Sequence, residues 1–141
     1  MIERVFVDSN VLVYAHDADS GNKQRIAANA VAEILSARSG VLSIQVLQEF
    51  YSTVTRKLRS AIARDVAREL LRGYSSWTIQ QLTADDVIAA SFLEQRHQLS
   101  FWDALIVQAA LLAGATKLLS EDLQHGRSIG GVTVENPFIT S

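Results

Sequence analysis

The chain has no cysteine, a single proline and only three histidines among its 141 residues. The missing cysteines exclude disulfides, thiolate catalysis and the common structural zinc sites. His16, His97 and His125 do not have the spacing of zinc ligands. Oxygen ligands are therefore the remaining way for this chain to bind a metal, which favours hard cations such as Mg²⁺.

The sequence also lacks a long apolar run and an excess of basic residues. Its longest apolar stretches, 104–107 and 109–113, are far shorter than the roughly 20 residues that cross a membrane. We expect no leader peptide and a cytoplasmic protein. Thirteen Lys and Arg against fifteen Asp and Glu give a net charge of -2, so nucleic-acid binding would require a local basic patch.

Length and hydrophobic content predict one domain over residues 1–141, with 48% hydrophobic residues available for a core. Short β-branched runs alternate with segments of helical periodicity. We expect strands at 2–7, 41–43, 77–82, 116–119 and 132–134, and helices at 20–40, 44–58, 60–71, 83–95 and 101–113. This alternation predicts an α/β fold, a three-layer α/β/α sandwich around a parallel sheet of four to five strands.

Four acidic residues occupy positions that a solvated surface does not readily explain. Asp8 ends the first expected strand, and Asp122 follows the fourth. Asp103 begins a helix that is apolar nearly all round, and Glu49 lies on the polar side of the helix after the second strand. Each also has an ordinary structural explanation, such as an Asx turn at Asp8 or a helix cap at Asp103.

Taken together, the four acids indicate a cation site. The carboxyl ends of parallel strands meet at one edge of a sheet, and the first and fourth strands are expected neighbours. Carboxylates about 4 Å apart repel by about 4 kcal/mol per pair at an effective dielectric of 20, which protonation or a counter-ion must relieve. Oxygen ligands with open positions suit Mg²⁺ or Mn²⁺. The pattern predicts metal-assisted phosphodiester hydrolysis.

Four segments resemble the characteristic blocks of PIN-domain ribonucleases, especially the VapC-like toxins of type II toxin-antitoxin pairs. The segments are 5–15, 43–51, 100–110 and 118–124, which occur in the family's order and spacing. The resemblance extends to about Val134 and implies a PIN-like sandwich with an acidic pocket for one or two Mg²⁺ or Mn²⁺ ions. The residues that it places in this pocket are the acids Asp8, Glu49, Asp103 and Asp122, supported by Asn10 and Ser120.

The resemblance also implies a role for each acid. Asp8, Asp103 and Asp122 would be metal ligands, directly or through water. Glu49 would hold a metal-bound water or orient the nucleophile. Glu121 adds a carboxylate beside Asp122, and either of the two could be the fourth acid.

Other candidate contacts with RNA come from arginines and from the segment after the first strand. Arg64, Arg68 and Arg72 recur every four residues and could form a phosphate track, although a solvated helix face with neighbouring acids explains the pattern better. Tyr14, in the loop expected after the first strand, could stack on a base, and His16 could touch the substrate.

The resemblance implies RNA as substrate, a cognate antitoxin as partner and a homodimer. Helices within 44–71 are the predicted walls of the groove for the antitoxin. A housekeeping RNA-processing nuclease and a non-catalytic PIN binding module remain alternatives. A receiver domain is disfavoured because Leu82 and Thr83 offer no phosphoacceptor, and a DxD-type phosphatase needs an acid where Asn10 stands.

Overall fold

The structure is a computed structural model and describes residues 3–139. Its strands are β1 (Val5–Val7), β2 (Gly40–Ser43), β3 (Thr78–Gln80), β4 (Lys117–Leu119), β5 (Ser128–Ile129) and β6 (Val132–Glu135). Its helices are α1 (Ser9–His16), α2 (Asn22–Ala37), α3 (Ile44–Arg56), α4 (Arg64–Tyr74), α5 (Ala84–His97) and α6 (Phe101–Leu112).

The strands form one sheet in the order β3-β2-β1-β4-β6-β5. All neighbouring pairs are parallel except the β5–β6 hairpin. The chain leaves β1 towards β2 on one side and later returns to β4 on the other, so the strand order reverses between β1 and β4. Ligands of open α/β sheets bind at such a reversal, outside the carboxyl ends of the strands.

Helices cover both faces of the sheet, as its buried strands require. Phe6 and Val7 are adjacent in β1 and point to opposite faces, yet both are fully buried. Val41, Leu42 and Leu118 on the neighbouring strands are also buried. The predicted three-layer sandwich and the pairing of the first with the fourth strand are confirmed, with six strands instead of four to five.

Helix α1 is the largest difference from the sequence expectation, which has a loop after the first strand. The Asp8 side chain accepts a hydrogen bond from the Ser9 backbone N–H and begins the helix directly at the strand end. Val11 to Val13 are buried in it. A short β-branched run hides the helical period, because such residues have low helix propensity and favour strands.

Several element bounds also differ from the sequence expectation. Helix α2 ends at Ala37 instead of continuing to Gly40, since Arg38 adopts a left-handed conformation with φ of 54°. Gly40 begins β2, and a Cβ there would lie 2.2 Å from the Trp77 ring. Helix α4 begins at Arg64 instead of residue 60. The two-residue strand β5 has no counterpart in the sequence prediction, and position 2 of the first predicted strand lies outside the described residues.

Some apolar residues of the predicted helices are exposed. Val66 on α4 is 50% exposed, while Ala67 and Tyr74 provide the buried contacts of that helix. On α5, Ile88 is 56% and Phe92 67% exposed. The prediction that the apolar helix α6 is buried is wrong at both of its ends, where the side chains of Trp102 and Leu112 are exposed. Within residues 3–139, no helix combines the length and apolar character that would span a bilayer.

Candidate active site

Four elements bring the predicted acids to the carboxyl edge of the sheet. Asp8 follows β1 and caps α1, and Asp122 lies in the turn after β4. Asp103 lies in the first turn of α6, whose first residue follows the cap Ser100. Glu49 extends from the middle of α3, which begins at the carboxyl end of β2 with Ser43 as its cap. The reversal of strand order therefore places all four acids around one cleft.

Asn10 connects the first and fourth of these acidic segments. Its Nδ2 lies 3.3 Å from Asp8 Oδ2 and 3.2 Å from Asp122 Oδ2, and 3.4 Å from Ser120 Oγ. Its Oδ1 accepts a hydrogen bond of 3.1 Å from the backbone N–H of Glu121. One carboxamide thus holds the carboxylates of Asp8 and Asp122 towards the same point.

Asp8 is the most enclosed of the four acids, with 4% of its surface exposed. Ser120 Oγ donates to Asp8 Oδ2 at 2.7 Å, and the Ser9 backbone N–H donates to Asp8 Oδ1 at 2.8 Å. Burial, together with the charges of Glu49 and Asp122, raises the pKa of Asp8 to about 6 despite these two hydrogen bonds. Charging Asp8 therefore costs free energy that a cation in the cleft would recover.

Glu49 and Asp103 complete the acidic cleft from its helical side. Ser9 Oγ donates to Glu49 Oε1 at 3.3 Å, which links α3 to α1. Burial raises the pKa of Glu49 and of Asp103, and the charge of Asp122 raises both further. Asp103 adds to the upward shift of the Glu49 pKa. The charge of Asp122 thus acts on Asp8, Glu49 and Asp103 alike, which places the four carboxylates in one electrostatic environment.

No basic side chain in residues 3–139 forms an ion pair with any of these four acids. The nearest ion pair along the chain joins Lys23 to Glu121, the neighbour of Asp122. Repulsion among the four carboxylates is consequently not balanced by the chain itself. A cation or a bound proton must supply that balance.

The donor chemistry of the cleft fits Mg²⁺ or Mn²⁺, since its side chains offer carboxylate, hydroxyl and amide oxygens. Among the described residues, no three His, Asp or Glu side chains lie close enough to enclose a cation by themselves. Mg²⁺ keeps several waters and uses one or two carboxylates together with substrate phosphates, so it does not require three protein carboxylates. Asp8 and Asp122 are the two carboxylates that one side chain, Asn10, brings to the same point.

Glu121 has partners on the outer side of the same turn. Tyr14 Oη donates to Glu121 Oε1 at 2.8 Å, and Lys23 forms an ion pair with Glu121 Oε2. The Tyr14 ring packs edge-on against Phe138 with centroids 5.0 Å apart. Although burial acts to raise the pKa of Glu121, the hydrogen bonds from Lys23 and Tyr14 and the Lys23 charge lower it overall.

The remaining residues suggested by the sequence have other surroundings. His16 ends α1 instead of lying in a loop, and its Nε2 is 2.6 Å from Tyr74 Oη beside the Phe50 ring. Arg64 and Arg68 are exposed on α4, and Arg72 pairs with Glu69 on the same helix. Sequence reasoning did not identify Ser9 and Lys23, which contact Glu49 and Glu121. Of these two residues only Ser9 could have been suspected from the sequence, because it directly follows Asp8.

The acidic side chains lie outside the carboxyl ends of a parallel sheet, at a reversal of strand order. This position is typical of α/β proteins that bind ligands at this edge of the sheet. The sequence profile of the PIN domain matches residues 5–127. The match covers most of the chain, and the chain belongs to the PIN domain family. None of the curated proteins compared by sequence matches the chain.

Solved structures share this fold along nearly their whole length. A toxin-antitoxin complex from Klebsiella pneumoniae has a TM-score of 0.69 at 22% identity, covering 95% of this chain and 98% of that one. VapC20 of Mycobacterium tuberculosis, a Sarcin-Ricin loop cleaving toxin, has a TM-score of 0.64 at 21% identity, covering 84% and 91%. DNA-bound VapBC from Salmonella typhimurium has a TM-score of 0.66 at 16% identity, covering 96% and 98%. At these identities the likeness shows a shared fold.

Proposed function

We propose that the protein is a Mg²⁺- or Mn²⁺-dependent endoribonuclease, with residues 1–141 acting as one catalytic domain. The observation that carries this proposal is the hydrogen bonding of Asn10 to both Asp8 and Asp122, because it brings acids from distant parts of the chain to one point. Membership of the PIN domain family and the uncompensated charge of the cleft support the same function.

The chain's own side chains would perform distinct tasks in this reaction. Asp8, Asp103 and Asp122 would hold the cation, while Asn10 and Ser120 keep the Asp8 carboxylate oriented. A bound Mg²⁺ or Mn²⁺ would supply an activated water and neutralise charge on the leaving oxygen. Glu49 is half-buried beside Ser9 and would orient the attacking water. Attack of water on the phosphorus, with cleavage of the P–O3′ bond and protonation of the leaving oxygen, would leave a 5′-phosphate and a 3′-hydroxyl.

Single carboxamide substitutions at two of these acids test the proposal. We expect Asp8→Asn and Asp103→Asn to slow cleavage of total RNA in Mg²⁺ by roughly 100-fold or more, since about 3 kcal/mol of lost transition-state stabilisation costs that factor. The measurement is the rate of cleavage, with mapping of the new 5′ ends. Asp85→Asn, an exposed acid of α5, is the matched control and should cleave normally. Folded Asp8 and Asp103 variants that cleave at the parental rate would overturn the proposal.

We further propose that the enzyme is a cytoplasmic VapC-like toxin held inactive by an antitoxin. Three structures of similar fold are a toxin or toxin-antitoxin complexes. Two cavities of about 280 and 260 Å³ adjoin along α2 and α4 and share Leu35 and Trp77. The second cavity, between α2 and α4, has a mainly apolar lining that suits an amphipathic segment of an antitoxin. Of the predicted groove walls at 44–71, α4 lines the second cavity and α3 neither.

A housekeeping RNA-processing nuclease is the second candidate, because the same acids would serve it. Expression of the chain with and without the gene beside its own distinguishes the two functions. Growth arrest that a small neighbouring gene relieves supports the toxin, whereas normal growth supports the housekeeping enzyme. A non-catalytic binding module has less support, because the acids at all four positions are present.

We also propose a homodimer formed through α5. Ile88 and Phe92 are four residues apart, so they share one face of the helix, and both are largely exposed. Exposed apolar residues clustered in this way are typical of a protein interface.

RNA contacts by Arg64, Arg68, Arg72 and Tyr14 stay a prediction. Of these residues, Tyr14 has its hydroxyl engaged by Glu121.

A further inference from the structure

The turn after β4 carries two adjacent carboxylates that have different surroundings. Asp122 Oδ2 accepts a hydrogen bond from Asn10, inside the acidic cleft. Both carboxylate oxygens of Glu121 are engaged elsewhere, one by Tyr14 Oη and the other by Lys23 Nζ. The two side chains therefore have separate partners, and of the two only the Asp122 side chain bonds to a residue that also contacts Asp8.

Both connections of this turn lead to the same face of α1. Asn10 and Tyr14 are four residues apart on that helix, so their side chains lie one above the other. Asn10 accepts a hydrogen bond from the Glu121 backbone N–H, and Tyr14 donates one to the Glu121 side chain. Because the Asn10 oxygen is occupied by the turn, its Nδ2 faces Asp8 and Asp122.

Lys23 attaches the same turn to α2. Its Nζ pairs with Glu121 and lies 4.8 Å from the centroid of the Tyr14 ring and 5.4 Å from that of Phe138. The Lys23 ammonium group therefore contacts Glu121 and also the aromatic pair, Tyr14 and Phe138, that packs beside it. Three segments distant in sequence, 14–23, 121 and 138, meet at this point.

We propose that Glu121 is a positioning residue that acts through Lys23 and Tyr14, and that it is not a metal ligand. By fixing the turn on α1, Glu121 holds the Asn10 carboxamide and the Asp122 carboxylate in the orientation that a cation requires. Outer-shell partners of this kind orient the ligands of metal sites. The proposal rests on the cation site of the proposed function and assigns Asp122 as its fourth acid.

Binding of Mn²⁺ alone, measured by the electron paramagnetic resonance signal of the free ion, tests this assignment without RNA. We expect Glu121→Gln and Lys23→Met each to weaken Mn²⁺ binding about 10- to 100-fold, as loss of an outer-shell partner does. The double variant should bind no more weakly than either single one, because both changes break the same contact. Lys23→Arg should restore most of the affinity. Lys117→Met, which removes the surface ion pair with Glu135, is the matched control and should bind normally.

The opposite result identifies Glu121 as a ligand. In that case Glu121→Gln weakens Mn²⁺ binding, while Lys23→Met leaves it unchanged or strengthens it. Release of the Glu121 carboxylate from Lys23 then does not weaken Mn²⁺ binding, and the positioning proposal is overturned. Tyr14→Phe removes only the hydroxyl and serves as a second variant if Glu121→Gln does not fold; parental Mn²⁺ affinity in both Tyr14→Phe and Lys23→Met also overturns the proposal.

Asp8→Asn separates this proposal from the proposed function. If Asp8→Asn loses Mn²⁺ binding and RNA cleavage while Glu121→Gln and Lys23→Met lose neither, the positioning proposal alone fails. If Asp8→Asn binds Mn²⁺ and cleaves RNA like the parent, the proposed function fails, and the positioning proposal fails with it.

Discussion

Asp8 combines two structural tasks with the one proposed for it in catalysis. It caps α1 through the Ser9 N–H and accepts the Ser120 hydroxyl, and it is almost completely buried. These contacts fix the carboxylate, but burial and the nearby acids disfavour its charge. The residue that begins the first helix is therefore destabilising in its ionised form until a cation binds.

The raised pKa of Asp8 predicts how stability changes with pH in metal-free protein. Between about pH 4 and 6 the folded state holds this proton while the unfolded state has lost it, so the free energy of unfolding falls as pH rises. Above pH 6 the free energy of unfolding is lower than at pH 4 by at most about 3 kcal/mol on account of Asp8. Urea unfolding in a chelator from pH 4 to 8 measures it.

Asp8→Asn is the variant that tests this dependence. Because Asn cannot ionise, the variant should show a smaller fall from pH 4 to 8 and should be roughly 1 to 3 kcal/mol more stable than the parent at pH 8. Part of the fall should persist, since the pKa values of Glu49 and Asp103 are raised as well. Parallel stability curves for the variant and the parent would contradict the raised pKa.

Three of the four acids lie at positions that a sequence makes recognisable, since Asp8 and Asp122 follow strands and Asp103 lies early in a helix. Glu49, in the middle of α3, was marked only by its place on the polar side of that helix. The partners that orient these acids could not be predicted from the sequence. Glu121 and Lys23 are 98 positions apart, and Asn10 and Asp122 are 112 apart. Such pairs arise only when strands β1 and β4 lie side by side, and no local pattern records them.

At the scale of elements, α1 and α5 show where sequence periodicity is least informative. Eight residues of α1 are too few for a periodic signal, and the buried run Val11 to Val13 has the β-branched residues of a strand. In α5 the apolar residues were correctly placed on a helix, but periodicity does not distinguish a core face from an interface. The exposure of Ile88 and Phe92 could therefore not be predicted from the pattern.

The exposed face of α5 predicts the effect of a charge at its most exposed apolar residue. Phe92→Glu should convert the proposed homodimer to a monomer, because burying an unpaired charge in an interface costs several kcal/mol. Its stability as a monomer should change little, since Phe92 is 67% exposed. Size-exclusion chromatography with light scattering across a concentration series measures the mass.

The matched control for that experiment is Val66→Glu, which introduces the same charge at an exposed apolar residue of α4. It should leave the mass of the dimer unchanged. A parent that is monomeric at all concentrations, or a Phe92→Glu variant that remains dimeric, would exclude α5 as the contact between copies.

At the scale of the whole molecule, the order of strands and helices brings acids from distant parts of the chain to one edge of the sheet. Strand alternation in the sequence was sufficient to predict the sandwich, its parallel sheet and the neighbouring positions of β1 and β4. It missed the two-residue β5, which depends on a turn at Gly130 and Gly131 and on pairing with β6. The antiparallel edge lies away from the cleft, so this omission did not affect the prediction of the site.

Anomalous diffraction from a crystal soaked in Mn²⁺ tests most directly whether distant acids form one cation site. We predict an anomalous peak in the cleft, within direct or water-mediated ligand distance of Asp8 and Asp122 and facing Asp103. An Asp8→Asn crystal soaked in the same way should lose the peak. An empty cleft in the parent at millimolar Mn²⁺, or a peak on Glu121 away from Asp8, would contradict the account.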